Sequence, residues 1–360
     1  MTIVEATDRY HAWLAEHTPL DEQALGKKRK KIRKGPFPFL RGTFYRWAQT
    51  WAQRMPAESA TPRVLAIGDL HLENFGTWRD AEGRLVWGVN DFDEAYPLPW
   101  TNDVIRLATS ILLAADERHP LKLTPADACD ALLDGYRRGL KTGGRAYVLA
   151  EGNKWLRSIA ADQLWRPSDF WDELTELERA RTPDARAVEA ILLARMPEPL
   201  THVRTARREA GVGSLGRPRF VTLARWNGAW IAREAKARVP SAAVWARGRP
   251  DGRDHWGTIL RRAVRASDPF LASVDGWVVR RLAPDSVKIE LADLPTGRDQ
   301  TELVAALGFE TANIHLGSGS ATRAVLRDLQ RRRGPWLHRA AREMAEHVRN
   351  DWSDWKKATK

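Results

Sequence analysis

An acid at position 69, an amide five residues later at Asn74 and a second acid at Asp91 have the types and spacing to move a phosphoryl group. Gly68-Asp69-Leu70-His71-Leu72-Glu73 leads into Asn74, and Asn90-Asp91-Phe92-Asp93-Glu94 follows about one hairpin later. Asp69 would accept or orient the proton of an attacking hydroxyl. Asn74 would hold a magnesium ion through its amide oxygen, and Asp91 would hold magnesium against the phosphates of ATP. The roles are separated because the nucleophile approaches phosphorus from the side opposite the metal-bound oxygens. Asp93 and Glu94 add negative charge nearby, either as a second metal contact or as solvated turn residues. His71 is either a donor to the loop or a structural histidine.

The pair Asp69 and His71 also has the Asp-x-His form that opens a dinuclear metallophosphoesterase site. That chemistry needs further ligand clusters, whereas His202, His255, His315, His338 and His347 stand singly.

A second constellation is Gly211-Val212-Gly213-Ser214-Leu215-Gly216, a Gly-x-Gly-x-x-Gly. A dinucleotide-binding turn of this form runs from a strand into a helix. Here Arg217-Pro218 leads instead into the alternating run Arg219–Arg225, the Asn227-Gly228 hairpin signal and a partner strand over Ala229–Lys236. Strand, glycine loop, strand, tight turn, strand is how a kinase small lobe covers ATP phosphates, with Gly211, Gly213, Ser214 and Gly216 at the loop. The last strand should carry a cation to those phosphates. Arg233 and Lys236 both qualify, but on a regular strand they face opposite sides, so one of them is expected in the cleft.

The elements that must position these groups are readable in outline. Residues 1–60 read as a helical N-terminal extension with a break at Phe37–Gly42. Residues 61–200 read as a large catalytic lobe, with strands at Val64–Ile67 and Arg84–Val89 joined across Asn74–Gly83 and then helices. Asn102 precedes a periodic apolar run, and Thr124-Pro125 has the form of a helix cap followed by proline. Residues 201–290 form a small β-rich nucleotide-binding lobe with a further strand at Trp277–Leu282. Residues 291–360 return to helices that pack on the large lobe. The order is α+β, without the strict alternation of a parallel doubly wound sheet.

Composition sets the class. The 360 residues, 43% hydrophobic and 29% charged, describe an ordinary globular protein. No apolar run is long enough to cross a membrane, and the N-terminus lacks the form of a secretory leader. Cys129 is the single cysteine, so internal disulfides and cysteine zinc sites are excluded and a reducing cytoplasm is expected. Part of the net charge of +12 lies in Lys27–Lys34. That run reads as a solvated segment ahead of a turn, with nucleic acid as a less favoured partner.

Taken together, Phe37–Gly42, Gly68–Gly76, Asn90–Glu94, Gly211–Gly216, Arg233-Glu234-Ala235 and Val279–Leu282 resemble the bacterial domain-of-unknown-function 2252 family. The acidic motifs are in turn similar to the aminoglycoside phosphotransferase branch of the kinase-like superfamily, with Ile67 where that branch has its first histidine. The resemblance implies a two-lobed kinase-like fold and places Asp103 at a later helix-capping Asp. The motif order implies circular permutation, since the catalytic loop precedes the glycine loop by more than 100 residues. Val278–Leu282 then becomes the hinge-side strand and Thr301–Leu316 the helix that usually precedes the catalytic loop. The expected activity is magnesium- and ATP-dependent phosphate transfer to an unidentified hydroxyl. A catalytically weak nucleotide-binding regulator and nucleotidyl transfer are the alternatives.

Overall fold

Helix α1 (Ile3–Ala15) starts at a capping box in which Thr2 accepts from Glu5 N–H while the Glu5 carboxylate accepts from Thr2 N–H. Helix α2 (Glu22–Ile32) starts at Asp21, whose carboxylate accepts from Ala24 N–H. The basic run is therefore the body of a helix, with Leu25, Lys28 and Ile32 buried at i, i+3 and i+7. Phe37–Gly42, expected as a break, is itself the short helix α3 (Pro36–Gly42), with proline at its first position. Helices α4 (Phe44–Arg54) and α5 (Pro56–Ser59) follow. The computed structural model describes residues 1–117, 121–149, 153–162, 164, 166–248, 252–289 and 296–359.

Four short strands come next: β1 (Arg63–Ala66), β2 (Phe75–Arg79), β3 (Leu85–Val89) and β4 (Tyr96–Pro99). β1 pairs with β4 and β2 pairs with β3, both antiparallel. This corrects the expected join of the first strand to the third. β2 lies inside the supposed connection, where Phe75-Gly76-Thr77-Trp78 is buried at every position and shows no alternation. The two pairings matter for function. Ala66 faces Tyr96 at one end, and Phe75 faces Val89 at the other. Loops 67–74 and 90–95 are thereby pinned side by side at both ends.

Helix α6 (Trp100–Glu117) begins two residues before Asn102, which lies within it and does not cap it. Helix α7 (Pro125–Thr142) has the expected cap, with Thr124 accepting from Asp127 N–H. Strand β5 (Tyr147–Val148) adds to β3, and helices α8 (Lys154–Asp162), α9 (Pro167–Thr175) and α10 (Pro183–Leu193) lead to the second β unit.

That unit is one antiparallel sheet in the order β6-β7-β8-β10-β9, formed by β6 (Thr201–Arg207), β7 (Arg219–Trp226), β8 (Ala229–Ala237), β9 (Ala272–Val274) and β10 (Trp277–Leu282). Helices α11 (Ala242–Arg247) and α12 (His255–Arg262) lie between β8 and β9. Both tight turns have the left-handed backbone of a primed hairpin: Asn227 and Gly228 have φ of 50° and 80°, Asp275 and Gly276 of 47° and 82°. β7 and β8 pair without a register shift, so side chains alternate strictly. Phe220, Ala235 and Val279 pack on α10 through Ala185, Val188 and Leu192. Val221, Leu223, Ala232 and Leu282 pack on Phe170 and Leu174 of α9.

The chain closes with α13 (Gly297–Leu316), α14 (Ala321–Arg331) and α15 (Trp336–Ala358). α13 is buried on nearly every face and crosses α7 at very short range. A β-carbon at Gly308 would lie 2.0 Å from the Leu132 carbonyl oxygen, and one at Gly135 would lie 1.8 Å from that of Ala305. Only glycine fits at either position. Among the described residues no helix is long and apolar enough to cross a membrane.

Glu310 of α13 sits against β3, accepting from Val89 N–H at 3.2 Å and from Asn313 Nδ2 at 2.7 Å. Burial raises its carboxyl from 4.5 to about 7. A group with a raised folded pKa contributes stability fully below its unfolded value and loses it as pH rises through the folded one. The ionisation penalty therefore builds between pH 4.5 and about 7, to roughly 1–3 kcal/mol. Glu310→Gln cannot ionise. Thermal unfolding should move in the variant's favour relative to wild type between pH 5 and pH 8, whatever the constant offset. A difference that stays flat across that range would show that Glu310 is already ionised in the fold.

Candidate active site

Between the second β unit and the helical body lies a cavity of about 350 Å³, into which both motif groups project. Asp69, His71 and Asn74 line it from one loop, Asp91 and Asp93 from the other, and Gly211, Gly213, Ser214 and Lys236 from the sheet side. The loops reach this position because of the strand pairings. Asn74 directly precedes β2, Asn90 directly follows β3, and Asn90 N–H donates to the Asn74 carbonyl at 2.9 Å. Gly68 has φ of 85°, and a β-carbon there would lie 2.4 Å from the Glu94 carbonyl oxygen. The loops touch through that glycine.

Asp103 holds the turn before Asp69. Its carboxylate, fully buried on α6, accepts from Ile67 N–H at 2.7 Å and Gly68 N–H at 3.0 Å. His315 of α13 sits 3.0 Å from the same carboxylate and 2.8 Å from the Tyr136 hydroxyl, tying the loop to two helices. One turn further along α6, the buried Arg106 donates Nε to Asp69 Oδ1 at 3.0 Å and Nη2 to the Leu40 carbonyl at 2.8 Å. Its guanidinium lies over the Phe44 and Trp47 rings. Burial raises the Asp69 carboxyl, against the pull of Arg106. Oδ1 is thus engaged, whereas Oδ2 lies 3.7 Å from where a β-carbon at Gly213 would be. The glycine loop passes directly over the acid.

Asn74 Oδ1 accepts from His71 N–H at 2.9 Å, and an amide oxygen has a second lone pair to offer. His71 accepts from Glu73 N–H through Nδ1 at 3.2 Å. Burial, then the charges of Arg41, Arg106 and Lys288, push its pKa well below the ordinary value, so the ring is neutral. Its role here is to shape the turn.

The two acids of the second loop differ. Asp91 has a 43% exposed side chain, and its nearest cation, Lys236 Nζ, is 3.5 Å away. Asp93 is buried between Lys236 at 2.7 Å and Arg217 at 2.9 Å. Burial works against its ionisation, but those two cations outweigh it and hold the carboxyl below the usual range. Asp91 is open to a ligand. Asp93 is committed to an ion-pair network, which is neither of the two roles its sequence suggested. Glu94 is not a solvated turn residue either. It is half-buried, accepts from Ala242 N–H at 2.6 Å, and is raised by desolvation to about 7.

On the sheet, alternation selects Lys236. It pairs across the strand with Arg219, at the end of β7 into which the glycine loop leads, and it does so with no register shift or bulge along the pair. Arg233 points to the opposite face, with its guanidinium over the Phe270 ring at 4.3 Å, and does not line the cavity. Gly216 does not line it either. A β-carbon there would meet Leu25 of α2 at 2.4 Å, so this glycine serves the docking of α2. Ser214 accepts from Arg219 Nη2 at 2.7 Å and donates to the Ala210 carbonyl at 3.0 Å, which braces the loop. Glu234 is fully paired as well, by Arg219 at 2.6 Å, Arg280 at 2.8 Å and Arg208.

Several groups here had no sequence signal strong enough to select them. Arg106 could have been found as a charged residue three after Asp103 inside the apolar run of α6. Glu73, paired with Arg41 at 2.7 Å and Lys288 at 3.0 Å, could not, because its partners come from remote segments. Ten cationic and seven acidic side chains line the cavity, an excess that favours an anionic ligand. The basic run contributes to this interior through Lys28, which faces the cavity, whereas Lys27 pairs with Glu209 at 2.8 Å on the surface.

Among the described residues no cluster of three or more histidine, cysteine, aspartate or glutamate side chains could hold a metal alone. Magnesium commonly takes only one or two protein oxygens, with substrate phosphates and water completing its shell. The donor set of Asp91 and Asn74 fits that pattern, whereas Asp93 is already neutralised.

The model of the family described as "Uncharacterized protein conserved in bacteria (DUF2252)" matches residues 20–155 and 149–358. The chain belongs to this family. No curated protein and no solved structure matches it.

Proposed function

We propose that this family member is a magnesium- and ATP-dependent phosphotransferase with a circularly permuted kinase-like fold, acting on a hydroxyl group. The observation that carries the reading is the approach of Gly213 to Asp69 over a cavity that also holds Asn74, Asp91 and Lys236. In that arrangement the glycine loop and Lys236 would cradle the phosphates, and Asp91 and Asn74 would hold a magnesium ion beside them. Bound magnesium supplies charge neutralisation at the phosphates. Asp69 Oδ2 then orients the incoming hydroxyl and takes its proton. The Asp103–His315 contact supports the permuted order, because it ties the loop before Asp69 to α13, the helix that follows the sheet in sequence.

A second reading, nucleotide binding without turnover, has one observation in its favour: Asp69 is held in a buried ion pair with Arg106. Titration calorimetry with ATP separates both readings from a protein that does not use nucleotides. Affinity is expected to rise at least tenfold on adding magnesium, and Asp91→Asn should remove most of that gain. ATP binding that ignores magnesium would sink the assignment of Asp91.

A further inference from the structure

One end of the cavity is built by elements outside the glycine-loop sheet and the acidic loops. Tyr10 of α1, Lys28 of α2 and Tyr45 of α4 line it, and Glu94 and Arg217 border it. Tyr10 and Tyr45 stack with ring centres 4.4 Å apart and planes 13° from parallel, forming a rigid wall. Lys28 is the anomaly there. It is 5% exposed, faces the cavity, and donates to the Gly213 carbonyl at 3.0 Å. Among the described residues no carboxylate lies within ion-pair distance of its ammonium. A lysine placed in such an environment without a directly paired anion is costly unless a ligand supplies one.

The neighbouring groups do not remove the anomaly. Arg217 is neutralised by Asp93, and the Glu94 carboxylate accepts from the Ala242 amide through Oε2 and makes no ion pair with Lys28. Burial, then repulsion from Arg217, lowers Lys28 to about 8 against the weaker pull of Asp69 and Glu94, neither of which pairs with it directly, and it stays largely protonated at pH 7. Its ammonium has three donors, one of which is used. α2 is anchored to the same loop twice more: Asp21 N–H donates to the Gly216 carbonyl at 2.9 Å, and Leu25 packs on Gly216. The helix therefore presents Lys28 at a fixed place beside Asp69, on the loop that covers it.

We propose that this end of the cavity is the acceptor subsite, and that its ligand is a small anion bearing a free hydroxyl, either a hydroxycarboxylate or a phosphorylated alcohol. Lys28 takes the anionic group, and the hydroxyl lies against Asp69 Oδ2. The assignment rests on the phosphotransferase reading for its chemistry. The hydroxyl oxygen forms the new bond to the γ-phosphorus, the bond from that phosphorus to the β,γ-bridging oxygen breaks, Asp69 takes the hydroxyl proton, and ADP leaves with the electron pair.

The test uses the full chain, with Mg·ADP present and glycerate, glycerol 3-phosphate, inorganic phosphate and glycerol as probes in calorimetry. Glycerate or glycerol 3-phosphate should bind at millimolar concentration or better, glycerol should not, and the comparison of the two anions tells carboxylate from phosphate. Lys28→Met should weaken anion binding at least tenfold while Mg·ATP affinity stays within twofold. A loss of Mg·ATP affinity with unchanged anion binding would reassign Lys28 to the nucleotide and overturn the subsite. As a check that needs no variant, amine labelling at pH 8 read by mass spectrometry should modify Lys28, and the bound anion should protect it. If none of the anions binds or protects at 10 mM, the subsite is wrong. If Mg·ATP fails to bind while anions still protect Lys28, the anion site stands, and its role as acceptor site falls with the phosphotransferase reading.

Discussion

Asp69→Asn is expected to abolish phosphate transfer from ATP while leaving nucleotide affinity nearly unchanged. The substitution keeps the shape of the side chain and an oxygen for Arg106, whose Nε now reaches Oδ1 at 3.0 Å. It removes the proposed base. Loss of a positioned general base costs about 10²–10⁴ in rate, and single-turnover release of label from γ-labelled ATP measures it. The same variant should bind Mg·ATP within about twofold of wild type, because the phosphate contacts are assigned to Lys236 and the glycine loop. The ion pair with Arg106 makes a second measurement informative. Removing one partner's charge from a buried pair leaves the other uncompensated, at a cost of about 3–5 kcal/mol when the contact is lost altogether. The retained amide oxygen should reduce that cost to a small part. A variant that folds, binds nucleotide and keeps more than a tenth of wild-type turnover would remove Asp69 from the chemistry.

Lys236→Met should injure both stability and nucleotide binding. Lys236 lies 2.7 Å from Asp93, which is otherwise held by Arg217 at 2.9 Å. Taking the lysine away leaves a buried carboxylate with one cation in place of two, a loss of about 3 kcal/mol at the lower end of the range for broken buried pairs. The Asp93 carboxyl is held below the ordinary range, so its contribution is present above the unfolded aspartate value and disappears as pH falls through the folded one. The stability gap between wild type and variant is therefore full at pH 7 and closes below about pH 4. Affinity for Mg·ATP should fall by at least tenfold. Arg233→Met is the control: its guanidinium packs on Phe270 on the far face of the strand, so stability should drop with nucleotide affinity unmoved. If the two variants exchanged these behaviours, the face assignment of β8 would be wrong.

The parts that were legible early share a physical cause. The Asn227-Gly228 hairpin, the Asp275-Gly276 turn and the Thr124-Pro125 helix start are local events, set by which residues tolerate positive φ or supply a capping oxygen. The α+β class followed from the order of such elements. The strand Phe75–Arg79 was missed because burial on both faces erases alternation, and the helix at Pro36–Gly42 because its proline and glycine read as punctuation. The basic run reads as solvated because charge patterning cannot show that one lysine of five lies inside.

The chain by itself named Asp69, Asn74, Asp91 and the glycine loop, since each is a short pattern whose residue types are demanded by chemistry. It also narrowed the strand cation to two residues, because alternation is a property of any extended chain. Which of them enters the cavity was settled by the unshifted register of β7 on β8. Ion pairs joining residues 37, 124 and 145 positions apart, Asp69 to Arg106, Asp93 to Arg217 and Asp91 to Lys236, were beyond any local pattern. Their partners are chosen by how whole elements pack, and that choice depends on glycines such as Gly308 and Gly135 that let helices meet. Chemistry is written in short motifs. Which charges are neutralised and which remain open is decided only when distant segments are buried together.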